Sequence, residues 1–204
     1  MAREKKLDDV DIHIMALLAE NARISLSELG RKVGLSHVTV RERLLKLKEE
    51  QFIKPYIGVN PSKLNLEIVV VLIETENSEK KQEIVNTFKN CPRIIQLTSI
   101  IGEYDLMAIV YAENKQTLET ILTSCVIRTF PGIRRSNVLH VGTQLFPPFM
   151  PIRLQLTQTN KEVTPCNLNC KECEKFQKKH CLGCPATKYY DGKLKDFLFK
   201  SAST

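Results

Sequence analysis

Ser25–Lys48, SLSELGRKVGLSHVTVRERLLKLK, is the stretch that decides the fold of the amino-terminal part of the chain. Ser25 is followed three residues later by Glu28, the pattern of a capping box at the start of a short helix. Gly34 ends that helix in the way that a left-handed cap requires, and Ser36 caps the next one. The stretch therefore predicts two helices joined by a tight glycine corner.

A further helix is predicted upstream of this stretch. Asp8 and Asp11 open a helical run over roughly residues 9–20, and Asn21 is expected to end the run in a left-handed conformation. In the helix after Ser36, the apolar residues recur at helical spacing and should face the other two helices. Three helices with this corner predict a helix-turn-helix.

In a helix-turn-helix, the first residues of the last helix enter the major groove of DNA, while nearby cations contact phosphates. The predicted DNA-contacting residues are Ser36, His37, Val38, Thr39, Arg41, Arg43 and Lys46. A three-helix bundle with a solvated polar face is the alternative that this pattern leaves open.

The middle of the chain predicts an α+β domain. A short hinge strand is expected around Ile53–Val59, and a new domain starts near residue 62. Hydrophobic periodicity then gives the order βαββαβ, which is the ferredoxin-like split unit. The predicted elements are Leu66–Thr75, Ser78–Asn90, Ile94–Ile101, Leu106–Ala112, Thr117–Cys125 and Ser136–Leu145.

A turn at Gly102–Asp105 separates two of these strands. Asp105 has two interpretations that can coexist: its carboxylate satisfies the amides of the turn, or it contacts a ligand. Cys91 and Cys125 lie near the ends of predicted helices, where cysteine is more often a small buried hydrophobe than a ligand.

The tail contains five of the seven cysteines of the chain, spaced Cx3CxxCx7CxxC. They are Cys166, Cys170, Cys173, Cys181 and Cys184. Two CxxC pairs provide four thiolates for tetrahedral zinc, so Cys170, Cys173, Cys181 and Cys184 are the preferred ligands. Because a fifth thiol is present, an iron–sulfur cluster remains the alternative cofactor.

The predicted boundaries are a helix-turn-helix domain at 1–60, a ferredoxin-like domain at 62–146, a linker at 147–165 and a metal-binding tail at 166–204. The net charge is +7, with its excess of cations at the two ends of the chain, which favours a polyanionic partner. No apolar run is long enough for a membrane span, and no signal peptide is recognisable at the start. We therefore expect a cytoplasmic protein with no membrane partner.

Three segments together resemble the amino-terminal signature of the Lrp/AsnC (feast/famine) transcriptional regulators. They are Leu7-Asp8-x-x-Asp11-x-x-Ile14, Asn21-Ala22-Arg23-x-Ser25-x-x-Glu28-Leu29, and Val33-Gly34-Leu35-Ser36-x-x-x-Val40-x-x-Arg43 with Leu47. Gly102, Tyr104 and Asp105 match the Gly-x-aromatic-Asp turn of the effector domain in that family. The resemblance covers about residues 7–146 and does not extend to the cysteine-rich tail.

The resemblance implies a sequence-specific regulator of double-stranded DNA, not an enzyme. It further implies a homodimer or higher homo-oligomer whose βαββαβ domain binds an amino-acid effector through Gly102, Tyr104 and Asp105. One alternative is an enzyme similar to sirohaem decarboxylases, which share this two-domain arrangement, with His140, Arg134 and Arg135 serving a tetrapyrrole carboxylate. Another is an iron–sulfur redox-sensing regulator.

Overall fold

The computed structural model describes residues 7–125, 127–143, 145–153 and 160–194, and it forms two compact units that meet at the Tyr56–Ile57 bond. Residues 154–159 of the predicted linker and 195–204 of the predicted tail lie outside the described residues. Across the described ranges, none of the helices combines the length and apolar character that crossing a bilayer needs.

The first unit consists of three helices, α1 (Asp9–Glu20), α2 (Leu26–Val33) and α3 (His37–Glu49). Their common core is a set of four side chains that are at most 1% exposed. These side chains are Ile14, Leu29, Val40 and Leu47. One or two come from each helix, so the apolar stripes predicted from the sequence do meet, and the helix-turn-helix is confirmed.

Side-chain caps begin each of these helices. Asp8 and Asp11 form a reciprocal capping box, in which the Asp8 carboxylate accepts from the Asp11 amide at 2.8 Å. Ser25 accepts from the Glu28 amide and Ser36 from the Thr39 amide, each at 3.1 Å. These contacts satisfy amides that a helix leaves unpaired at its start.

The expected left-handed stop at Asn21 is wrong. Asn21 is extended, with φ −141°, and its side chain accepts a hydrogen bond from the Arg23 amide at 2.9 Å. Asparagine side chains often form such turns with the backbone two residues further on. Here this local bond directs the chain out of α1 without a left-handed residue.

The corner between α2 and α3 depends on two glycines for different reasons. Gly34 has φ +71°, the left-handed conformation that its sequence position predicted, and an added Cβ would meet nothing within 4 Å. Gly30 is helical, but a Cβ there would lie 2.5 Å from the carbonyl oxygen of Leu35. The first glycine permits the turn, and the second permits the close approach of α2 to the chain that follows it.

The second unit has the predicted βαββαβ order. Its elements are β1 (Glu67–Thr75), α4 (Ser78–Phe88), β2 (Ile94–Ser99), β3 (Leu106–Ala112), α5 (Lys115–Ser124) and β4 (Ile133–His140). The strands form one antiparallel sheet in the spatial order β2-β3-β1-β4. The two central strands are the most apolar ones, and the α+β fold class is confirmed.

The two helices of this unit start in the same way. Asn77 caps α4 by accepting from the Lys80 amide, and Asn114 caps α5 by accepting from the Thr117 amide, both at 2.8 Å. Each asparagine lies two residues after the end of a strand. The two strand–helix connections are thus built alike, although the helices that follow differ in their outward side chains.

The predicted hinge strand at Ile53–Val59 is not formed. Val59 makes a single antiparallel bridge with Met150, with amide-to-carbonyl distances of 2.9 and 2.8 Å. The last strand also begins and ends earlier than predicted, at Ile133–His140 rather than 136–145. Backbone pairing over one residue therefore stands where a strand was expected.

Each face of the sheet has its own apolar layer. On one face, α4 and α5 cover a core that includes Val69, Val71 and Ile73 of β1. On the other face, residues from beyond β4 pack on Ile68 and Tyr111; these residues are Ile152, Tyr190 and Leu194. The carboxy-terminal part of the chain is therefore packed into the second unit.

The described start of the predicted linker is also docked, where an exposed connector was expected. Ile152 is only 6% exposed. The guanidinium of Arg153 donates to the carbonyls of Lys89, Cys91 and Ile94 at 2.6, 2.8 and 2.7 Å. Three carbonyls after α4 thus receive their hydrogen bonds from a side chain that sequence spacing did not single out.

The two corner glycines predict a difference between two alanine variants. Gly34→Ala should cost about 1–2 kcal/mol of unfolding free energy, since the left-handed conformation strains an L-residue, and Gly34→Asn should cost less. Gly30→Ala should cost more than Gly34→Ala despite a helix-propensity gain of about 1 kcal/mol, because its Cβ meets backbone. Urea unfolding of the three variants checks this order, and equal losses for Gly30→Ala and Gly34→Asn would contradict it.

Candidate functional site

The amino-terminal half of α3 forms the first candidate site. Ser36, His37, Val38 and Arg41 are exposed; Thr39 is half-buried, and its hydroxyl lies 2.9 Å from that of Ser36. Val38 is 52% exposed, and an apolar side chain presented in this way on a polar helix suits contact with a thymine methyl group. Lys46 is exposed on the same helix. Six of the seven predicted DNA-contacting residues thus remain available to a duplex.

Arg43 differs from the other six predicted residues. Its guanidinium Nη1 donates to Asp8 at 2.6 Å and to Asp11 at 2.7 Å. The pKa of Asp8 lies below its ordinary value. The main cause is the hydrogen bond from the Asp11 amide, and the second is the hydrogen bond from Arg43 to Asp8. Arg43 therefore ties α3 to the cap of α1, and its assignment as a phosphate contact stays a prediction.

The Gly102 turn forms the second candidate site. The Asp105 carboxylate accepts from the Thr75 amide at 2.6 Å and from the Thr75 hydroxyl at 2.9 Å. These two bonds hold the pKa of Asp105 below its ordinary value. Asp105 is half-buried, and its carboxylate is bonded to Thr75 at the end of β1 rather than, as the structural interpretation expected, to the amides of its own turn. Its contact with a ligand stays a prediction.

Tyr104 and Arg135 complete this turn. The Arg135 guanidinium lies 4.9 Å from the centre of the Tyr104 ring and also pairs with Glu74 and Glu103 at 3.0 and 2.9 Å. Arg134 pairs with Glu74 at 3.5 Å. The two arginines that the enzyme alternative assigned to a tetrapyrrole carboxylate are therefore already engaged by protein carboxylates.

A cavity of about 450 Å³ in the second unit forms the third candidate site. All seven cysteines of the chain line it: Cys91, Cys125, Cys166, Cys170, Cys173, Cys181 and Cys184. The structure thus brings the five predicted tail cysteines together and adds two from the ferredoxin-like domain. Sequence reasoning assigned those two to the hydrophobic core, which they do contact, and no spacing connects them to the tail.

The thiols surround the cavity without converging on one point. In the part of the chain that the structure describes, no three Cys, His, Asp or Glu side chains lie close enough to hold one metal ion. Burial raises the pKa of five of the thiols. These are Cys91, Cys125, Cys170, Cys181 and Cys184. Any metal that binds them must therefore displace protons.

A buried charged cluster holds the cysteine loop against the sheet. Arg93 is 5% exposed; it pairs with Glu113 at 2.6 Å and donates to the carbonyl of Gly183 at 2.7 Å. Tyr190 donates to the other oxygen of Glu113 at 2.6 Å. Burial alone lowers the pKa of Arg93, but the charge of Glu113 reverses this effect and the pKa is raised. Sequence analysis missed this cluster because nothing in a one-dimensional pattern pairs residues 20 and 90 positions apart.

Two threonines of α5 also contact the cysteine loop. Thr120 donates to the carbonyl of His180 at 3.1 Å, and Thr117 accepts from the Leu182 amide at 3.3 Å. Both threonines are at most 3% exposed. Helix α5 of the ferredoxin-like domain therefore bonds to the backbone on both sides of Cys181.

A helix-turn-helix with an exposed third helix, followed by a four-stranded βαββαβ domain, is the arrangement predicted for a DNA-binding transcriptional regulator. Residues 7–48 match the AsnC-type helix-turn-helix domain, and residues 68–146 match the Lrp/AsnC ligand binding domain. The chain belongs to the Lrp/AsnC family of transcriptional regulators. Both matches end before the cysteine-rich segment, so the family comparison covers Cys91 and Cys125 of the thiol cavity but not its other five cysteines.

The chain is similar to curated regulators of archaea. It is 34% identical to the HTH-type transcriptional regulator Ptr1 of Methanocaldococcus jannaschii, over 57% of this chain and 79% of that protein. It is 27% identical to the HTH-type transcriptional regulator FL11 of Pyrococcus furiosus, over 66% of this chain and 89% of that protein. Both are named as regulators, and this chain is a regulator rather than an enzyme.

Solved structures support the fold. The leucine response regulatory protein of Mycobacterium tuberculosis superposes with a TM-score of 0.62 at 22% identity, over 70% of this chain and 97% of that one. AsnC of E. coli superposes with a TM-score of 0.58 at 22% identity, over 69% of this chain and 95% of that one. The shared part is again about two thirds of the chain.

Two neighbouring arginines of α3 should behave differently when changed to alanine. Arg43→Ala should lower the unfolding free energy by roughly 1–2 kcal/mol, a value between those of exposed and buried pairs, because Asp11 loses its cation. Arg41→Ala, on the exposed face, should change it by less than about 0.5 kcal/mol. Urea unfolding at neutral pH measures both.

The pH dependence provides the control for this comparison. The pKa of Asp8 is lowered in the folded state. Its contribution to the free energy of unfolding is therefore fully present above the unfolded-state pKa of about 3.9 and is lost as pH falls through the folded-state pKa. The difference in unfolding free energy between the unchanged chain and Arg43→Ala should therefore become smaller in acid. A difference that stayed constant would show that Arg43 acts through packing instead.

The buried cluster predicts that Glu113→Ala is far more damaging than Tyr190→Phe. The first leaves Arg93 buried without its anion, at a cost on the order of 3–5 kcal/mol. The second removes one hydrogen bond, at about 1–2 kcal/mol. Thermal unfolding gives the order, and hydrogen exchange of the Gly183 loop should rise in both variants. Similar melting of the two variants would contradict a paired buried charge.

Proposed function

We propose that this protein is a sequence-specific regulator whose α3 reads the major groove, whose ferredoxin-like domain responds to an amino acid, and whose thiol cavity binds metal. The observation that carries the first part is the exposed, Ser36-capped start of α3. Arg41 and His37 lie one helical turn apart there, and Lys46 follows on the other flank. An exposed arginine at this position suits a guanine edge, and a lysine suits a phosphate.

The domain that follows supports self-association. Its second sheet face carries cross-strand rows of apolar residues, in which Val70 is flanked by Leu139 and Ile109, and Leu72 lies beside Met107. Leu139 is 50% exposed. A homodimer that buried the part of this face left uncovered by Ile152, Tyr190 and Leu194 would contain two copies of α3, and a two-fold operator is its counterpart.

An amino-acid effector is supported by the match to the Lrp/AsnC ligand binding domain, which includes Gly102, Tyr104 and Asp105. The turn offers an ionised carboxylate, a tyrosine ring and the guanidinium of Arg135 within one small region. A carboxylate and a guanidinium are complementary to the ammonium and carboxylate groups of a free amino acid, whose carboxylate would replace the exposed Glu103 as a partner of Arg135.

Metal binding by the tail follows from the thiol cavity. The cysteines are clustered within one folded unit, and Cys170, Cys173, Cys181 and Cys184 keep the two CxxC spacings that suit thiolate ligation. Zinc stays a prediction from this spacing. The thiol cavity could place such a metal next to α5 of the effector-binding domain.

Selection from random-sequence duplexes tests the reading helix. The unchanged protein should enrich one palindromic motif, and Arg41→Ala should bind it roughly ten- to a hundredfold more weakly, the value of one good base contact. Lys46→Ala should weaken binding to all duplexes and lower the salt slope by about 1. Gel shifts at fixed salt measure both, and the enriched duplex can then be retested with each standard amino acid added.

Lys63→Ala is the matched control, because it removes an exposed cation outside the helix-turn-helix unit. Its affinity for the enriched duplex should equal that of the unchanged protein. If Arg41→Ala and Lys63→Ala bound equally well, or if no motif emerged from the selection, α3 would not be the reading element.

A further inference from the structure

The thiol cavity allows the kind of metal group to be named, an inference that rests on the proposed metal binding. Its walls come from two sources. Cys91 and Cys125 come from the ferredoxin-like domain and contact its hydrophobic core, and the other five thiols come from the tail. The cavity is therefore lined in part by a folded domain rather than only by a short independent finger.

The arrangement of the thiols does not suit a single ion. Tetrahedral zinc needs four sulfurs at about 2.3 Å from one point. In residues 7–125, 127–143, 145–153 and 160–194, no three potential ligand side chains are grouped that closely. The seven cysteines instead lie among the residues that line a cavity of about 450 Å³. A group of several metal and sulfide atoms, which binds each cysteine at a different iron, fits such spread-out cysteines better than one ion does.

The surroundings of the thiols are also suitable for such a group. The Cys184 amide donates to the sulfur of Cys170 at 3.4 Å, and Thr164 lies 3.2 Å from the sulfur of Cys166. Hydrogen bonds to cysteine sulfur are one of the means by which proteins tune iron–sulfur clusters. Arg93 also lines the cavity and places a cation near thiolates that would otherwise repel one another.

We propose that this cavity binds an iron–sulfur cluster through Cys170, Cys173, Cys181 and Cys184. The two CxxC pairs flank α6 (Glu174–Gln177) in sequence, and the bond from the Cys184 amide to the sulfur of Cys170 brings the two pairs together at the cavity. Cys91 and Cys125 form the wall on the side of the ferredoxin-like core. The cluster would thus be held by the tail and lie against the domain that carries the Gly102 turn.

The test is metal and sulfide analysis of the full chain, purified without oxygen from cells supplied with iron. The expected result is iron and acid-labile sulfide in equal amounts, about two or four of each per chain, with broad visible absorption and a Mössbauer signal of cluster iron. One zinc per chain without labile sulfide would overturn the cluster and leave metal binding intact. A chain with neither metal would overturn both.

Variants then test the ligand assignment. Cys170→Ser/Cys173→Ser and Cys181→Ser/Cys184→Ser should each lose nearly all iron and labile sulfide. His180→Ala is the matched control, because its exposed imidazole belongs to the same loop but does not line the cavity, and it should keep both. Cys125→Ala should also keep them. Loss of iron in Cys125→Ala with retention in either double variant would show that the assignment is wrong.

Discussion

Arg93 carries its charge in the interior of the second unit, and the packing of the tail depends on how that charge is neutralised. Burying a guanidinium is costly unless a carboxylate and further acceptors replace its water. Glu113 supplies the carboxylate, the carbonyl of Gly183 supplies an acceptor, and Tyr190 occupies the second oxygen of Glu113. Two of these partners come from the cysteine-rich segment. The ferredoxin-like domain therefore needs that segment to complete its own interior, and the segment is part of the domain.

In the first unit, a nearly buried carboxylate is likewise paired with an arginine. Asp11 is nearly buried beneath the cap of α1, and Arg43 reaches it from the reading helix. The orientation of α3 is thus coupled to the start of α1 by charge as well as by the apolar core. Arg41, two residues earlier, is exposed to solvent. One helix thereby separates a residue that sets its position from residues that are free to contact a duplex.

Local signals predicted most of the fold. Asp8, Ser25 and Ser36 were identified as caps because side-chain capping is decided within four residues, and the βαββαβ order followed from hydrophobic period. Asn21 was misjudged because asparagine can satisfy a helix end in more than one way. The hinge strand around Val59 was misjudged because strand formation needs a partner, and sequence alone does not show that Met150 offers only one residue of pairing.

A candidate site was harder to predict when the residues that form it lie far apart in the sequence. The five tail cysteines were found because they share a short segment. Cys91 and Cys125 were assigned to the core, since a lone cysteine in an apolar context has no signature of a shared cavity. Arg93 and Arg153 were missed for the same reason: their partners are carbonyls and carboxylates that only the fold brings near.

The matching caps of α4 and α5 show how an almost repeated unit can become one-sided. Counting from Asn77 and Asn114, the third and sixth residues are Lys80 and Glu83 in one helix but Thr117 and Thr120 in the other. The charged pair is largely solvated, whereas the threonines are covered and bond to the cysteine loop. The threonines thus bond the cysteine loop to α5 rather than to α4, so two strand–helix connections that begin alike end with different neighbours, and the approximate symmetry of the domain is lost at the helix that receives the added segment.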